Sequence, residues 1–145
     1  MLTLPVVNMT GKVSLILFSG NVDRLMAGSI ITSGAVANDM DVNVFVTFWA
    51  LLHLKKTGAP APTLSPEAGA MAERMMKIMS EKKMPSWLDT IKQAAEVGNV
   101  TVYACAMFAD MMGIRKSDLD PIVRDVIGVS QFVDMSRDSN MTLFI

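Results

Sequence analysis

The chain has 145 residues, 51% hydrophobic and 19% charged, with a formal net charge of −1. That length suits one domain with an ordinary core, and the apolar content excludes a disordered tail. With no basic stripe and no aromatic residues interleaved with cations, nucleic acid is not expected as a partner. A single cysteine cannot form an internal disulfide, and no segment resembles a secretory signal, so a reducing, cytoplasmic setting is expected. No apolar run approaches the roughly 20 residues of a spanning helix, so no membrane association is expected.

The first predicted strand is "KVSLILFS" (Lys12–Ser19), a near-continuous apolar run of the kind covered on both faces of a sheet. A helix follows to about Asn38, with Asp23 placed to cap it. Gly28 and Gly34 lower its helix propensity, so close packing is expected at both. "VNVFVTF" (Val42–Phe48) is the second strand, and a short helix starts at once with "WALLHLKK". Thr57 to Pro66 holds three prolines and a glycine, which makes it an exposed excursion within one domain. "PEAGAMAERMMKIMSEKK" is then a methionine-faced helix, with Pro66 in its first turn.

"SWLDTIKQAAEVG" is a further helix, started by Ser86 and Asp89 and stopped by Gly98. The strand "VTVYA" leads into a helix that begins near Cys105 and ends at Gly113. A short strand is expected around Ile122–Val126, a last helix capped by Ser130, and a terminal strand "MTLFI". Strands alternate with helices, which predicts a three-layer α/β/α sandwich around a mostly parallel sheet.

In such sheets ligands sit beyond the carboxyl ends of the strands. Ser19, Gly20 and Asn21, then Phe48 and Trp49, and finally Cys105 all fall at strand ends. A lone cysteine is commonly a small buried hydrophobe. At a strand-to-helix junction, however, unpaired N–H groups favour a sulfur anion and so a nucleophile. With no second cysteine, the thiol must form an adduct or pass a group on. Ser19 and Gly20 offer backbone N–H groups, Trp49 a wall against water, and Met107 lies close after the thiol. His53 falls one helical turn after Trp49 and is the chain's one histidine. Each of these has an ordinary structural alternative, and one His with one Cys makes no zinc site. No dinucleotide fingerprint or P-loop lysine is present, and no cofactor or metal is expected.

The segment from "KVSLILFSGNVDRL" through "VTFWALLHLKK", followed by "VTVYACAMFADMMGIRKSDL", resembles the DsrE/DsrF-like proteins. It is more narrowly similar to their cytoplasmic, archaeal-type branch related to the second DsrE type. The carrying motifs are the "FSG…D" turn, the "TFW" strand end and "YAC…M…MGI", in that order and spacing. The resemblance implies about five mainly parallel strands, homo-oligomers, and a sulfur relay. In that relay Cys105 holds persulfide or thiosulfonate sulfur exchanged with a TusA-like carrier, as a sulfur carrier or sulfurtransferase. The rival reading is a non-catalytic binding or assembly module with a structural cysteine. The apolar content and the methionine-rich "MAERMMKIM" independently point to a homo-oligomer.

Overall fold

The computed structural model of the protein describes residues 11–145. Its strands are β1 (Lys12–Leu17), β2 (Asp41–Val46), β3 (Val100–Cys105), β4 (Val123–Ile127) and β5 (Met141–Phe144). They form one sheet in the order β4-β3-β2-β1-β5, with every pairing parallel. The helices are α1 (Val22–Ala37), α2 (Phe48–Leu52), α3 (Ala72–Glu81), α4 (Trp87–Val97), α5 (Ala106–Met111) and α6 (Val129–Met135). Tight 3₁₀ turns occupy Pro66–Met71 and Lys116–Asp118. This is the α/β sandwich that the alternation of elements predicts. Among the described residues no helix is long and apolar enough to cross a membrane.

Side chains alternate across a strand, so the parallel register sorts them into two faces. Val13, Leu15, Leu17, Val42, Val44, Val46, Val102 and Ala104 share the face beneath α1 and α4, and all are buried. On the opposite face Ile16 lies between Phe45 and Phe144, and Phe45 in turn lies beside Tyr103. There α6 stacks Phe132 on Phe45 at 4.8 Å between ring centroids. This face is less completely covered: Ile16 and Tyr103 are half-buried and Phe144 is exposed.

Several boundaries differ from those expected. The first strand ends at Leu17 rather than Ser19, and β2 ends at Val46 because Phe48 already begins α2. Asn21, not Asp23, occupies the cap position of α1. The Asp23 carboxylate instead accepts hydrogen bonds from the Ser65 hydroxyl and, at 2.9 Å, the Ser65 N–H. Burial pushes that carboxyl up, but the Ser65 bonds outweigh it and hold it below the usual carboxylate range. The excursion is exposed from Thr57 to Thr63, and the buried Ser65 anchors its end onto α1. The methionine helix is broken at Gly69, whose φ of 51° separates the 3₁₀ turn from α3. The last helix starts after Gly128, so Ser130 lies inside it and does not cap it. Ser86 does cap α4, accepting the Asp89 N–H at 3.1 Å.

Of the two glycines expected to mark close packing, only one does. A Cβ at Gly28 would lie 2.7 Å from Leu17 Cδ2, whereas one at Gly34 would meet nothing within 4 Å. Gly34 faces solvent, so its helix penalty has no packing return. Gly34→Ala is therefore expected to raise stability by about 0.5–1 kcal/mol. Gly28→Val should lower it by about 1–3 kcal/mol through overpacking against Leu17. Urea denaturation of the two variants checks the contrast, and equal effects would refute it.

Candidate functional site

Cys105 is the last residue of β3 and the residue from which α5 springs. It is 7% exposed, pairs with Ile127 of β4, and makes no side-chain cap bond to its helix. By register its side chain shares the face of Tyr103, Phe45, Ile16 and Phe144. At that edge it lines a cavity of about 620 Å³.

The cavity wall is aromatic. Phe18, Phe45, Phe48 and Phe144 contribute to it, with Ile16, Met107 and Val129 beside them. Phe18 stands 5.0 Å from Phe48 and 5.6 Å from Phe144, and Phe48 stacks on the buried Phe108 at 4.9 Å. Such contacts hold the rings as a continuous surface. Thr47, Ser130 and Gly128 also line it, and among the described residues no charged side chain takes part.

Local backbone geometry creates this wall. Thr47 donates its N–H to Leu17 at 2.9 Å, and Ala50 donates to Phe18 at 3.0 Å, tying the start of α2 to the end of β1. Between them Phe48 adopts a φ of 45°, a left-handed conformation that an aromatic residue rarely takes. Strain of that kind costs of order 1–3 kcal/mol and persists where surrounding structure imposes it. Here it turns the Phe48 ring between Phe18 and Phe108.

The structure brings together Cys105, Phe48 and Met107 among the residues singled out from sequence. Ser19, Gly20, Asn21, Trp49 and His53 do not line the cavity and form a neighbouring cluster. The Ser19 hydroxyl is occupied, accepting the Asn21 N–H at 3.2 Å. A Cβ on Gly20 would come within 3.1 Å of both His53 Nε2 and the Trp49 carbonyl, so this loop packs closely against α2. Trp49 is half-exposed and stands edge-on to Phe48 and Phe108 at about 6 Å.

His53 opens instead onto a separate cavity of about 350 Å³, shared with Met26, Met76, Met79 and Met84. Among the described residues no three His, Cys, Asp or Glu side chains cluster as metal ligands.

Ile16, Phe18, Phe45, Thr47, Gly128, Val129, Ser130 and Phe144 are the lining residues that sequence reasoning missed. Placing Ile16, Phe45 and Phe144 side by side requires the strand order, which no local pattern carries. The signal available locally was the two-residue alternation that puts Tyr103 and Cys105 on one face.

Burial holds His53 below its usual range, against an opposing pull from the Gly20 backbone. A folded-state value below 6.5 means that protonation favours the unfolded chain. Stability from this group is complete above pH 6.5 and declines as the pH falls below it. An imidazole NMR titration should therefore show a midpoint below 6.5. His53→Gln should remove that part of the acid sensitivity, and a midpoint above 6.5 would refute the assignment.

Comparison with known proteins adds a relationship to this geometry. The model of the DsrE/DsrF/DrsH-like family matches residues 9–66 and 62–144. The chain is 28% identical to the uncharacterized protein YrkE of Bacillus subtilis, across 94% of this chain and 98% of that one. It is 24% identical to the sulfur carrier protein DsrE2 of Allochromatium vinosum, across 92% and 98% respectively. Among solved structures, a Methanobacterium thermoautotrophicum protein of unknown function, MTH1491, shares the fold with a TM-score of 0.58. That match has 12% identity and covers 93% of this chain and 99% of the other.

Proposed function

Because the chain belongs to the DsrE/DsrF/DrsH-like family, we propose that it is a cytoplasmic sulfur carrier that holds persulfide or thiosulfonate sulfur on Cys105. The observation that carries this reading is the position of the thiol, at the carboxyl edge of a parallel sheet and in the wall of a cavity. Ligands of open α/β sheets bind at that edge. The relationship to a protein named as a sulfur carrier supports the same chemistry. In this reading the Cys105 thiolate attacks the sulfane sulfur of a donor, whose remaining group leaves with the electron pair of the broken bond. A second thiol such as that of a TusA-like carrier takes the sulfur by the same displacement, releasing the Cys105 thiolate. The aromatic wall keeps water from the adduct while it waits.

The rival is a binding module in which Cys105 only packs, since the residue is buried and adjoins the core. Two measurements separate them. A carrier gains the mass of added sulfur from a donor, loses it to reductant, and gains nothing as Cys105→Ser. That variant should keep its fold, because serine is close in size, although its hydroxyl needs a hydrogen-bond partner. A wild-type thiol that ignores every donor and alkylates slowly near neutral pH, in a protein that Cys105→Ser unfolds, would establish packing instead.

A homo-oligomer belongs to the same proposal. Met107, Val129, Val133 and Phe144 are exposed apolar side chains, and no residue of α3 is buried. Apolar surface beyond the needs of one core is normally covered by another subunit. Light scattering at micromolar concentration should report more than one chain per particle, and a monomer would remove this part of the reading.

A further inference from the structure

Resting on the carrier reading, we propose that Cys105 takes its sulfur from a small organic hydropersulfide whose uncharged, apolar body fills the 620 Å³ cavity. A sulfur oxyanion such as thiosulfate or tetrathionate is the disfavoured donor. The volume falls within the range of small-molecule sites, roughly 300–1,000 Å³. Its walls are four phenylalanines with isoleucine, methionine and valine, and among the described residues no Lys, Arg or His side chain lines it. An oxyanion entering there would shed its hydration without meeting a cation, which is costly. The six-residue α5 offers no long helix to offset that loss.

The few polar groups of the lining point the same way. Thr47 is 8% exposed and lines the cavity, and although it stands at the start of α2 its side chain makes no cap bond. Thr47 and Ser130 each bring one hydroxyl to a lining that is otherwise apolar among the described residues, which offers little to the several oxygens of a sulfonate. A hydrocarbon or aromatic body against the rings, with its sulfur end toward Cys105, fits this lining.

The step balances without an outside oxidant. Cys105 loses its thiol proton to solvent, and the thiolate attacks the terminal sulfur of R–S–SH. The new S–S bond forms as the old one breaks, the R–S⁻ group leaves, and it takes a proton from solvent. The sum is Cys–SH plus R–S–SH giving Cys–S–SH plus R–SH, with no net redox change.

The test supplies the full chain with benzyl hydropersulfide, glutathione hydropersulfide, thiosulfate or tetrathionate at equal concentrations, and follows sulfur gained by intact mass. The benzyl donor should load Cys105 on the order of tenfold faster than the glutathione donor, the difference reflecting burial of the ring. Val129→Lys, at a half-exposed lining position, should abolish this preference and speed loading from the anionic donors in a variant whose oligomeric state matches the wild type by light scattering. Benzyl methyl sulfide, which carries no transferable sulfur, should protect Cys105 from iodoacetamide. Equal or faster loading from glutathione hydropersulfide or an oxyanion leaves the carrier reading standing and overturns this one. Failure of the inert sulfide to protect the thiol overturns it as well. Loading from no donor overturns both.

Discussion

All pairings in the sheet are parallel, and that constraint puts the carboxyl ends of all five strands at one edge. Cys105, the loop after Leu17 and the junction at Thr47 meet there although they are far apart in sequence. The pairing of β1 with both β2 and β5 matters most, because it sets Ile16 between Phe45 and Phe144. A one-residue slip in either ladder would turn that row to the opposite face and dissolve the cavity wall.

The two faces of the sheet are treated differently. Under α1 and α4 the aliphatic side chains are wholly buried, and Gly28 lets α1 approach Leu17 closely. This layer holds the greater part of the packed core and fixes the strands rigidly. The other face carries α6 and the Phe45–Phe132 stack, while Ile16 and Phe144 beyond that stack stay accessible. A rigid support on one side and an incompletely covered aromatic surface on the other is a suitable arrangement for holding a reactive sulfur adduct.

The layering, the strands and the junction at Cys105 were legible because apolar runs and punctuating Gly, Pro and Ser residues are local signals. Of the residues singled out from sequence for the pocket, only Cys105, Phe48 and Met107 line the cavity beside the thiol. The "SGN" turn reads as a pocket element, yet Ser19 spends its hydroxyl on Asn21, and Gly20 spends its space on His53 and Trp49. Asp23 reads as a helix cap, yet its carboxylate reaches across the excursion to Ser65. Both errors have one cause: the partner of a polar group was supplied by a segment distant in sequence or by a turn conformation that sequence does not specify. Phe48 shows the same limit, since extending the second strand through it ignores a backbone reversal at φ 45°.

A helix start beside a thiol suggests an anion site, and the described structure qualifies that inference in physical terms. The helix after Cys105 has six residues, and its first turn faces a wall of aromatic and aliphatic side chains. Partial charge at a helix end acts only locally, because the effect falls off within a turn. It does not hydrate the rest of a ligand. On the proposed carrier reading the two demands are therefore separate: the sulfur sits at the start of α5, and the ligand body lies against Phe18, Phe45, Phe48 and Phe144.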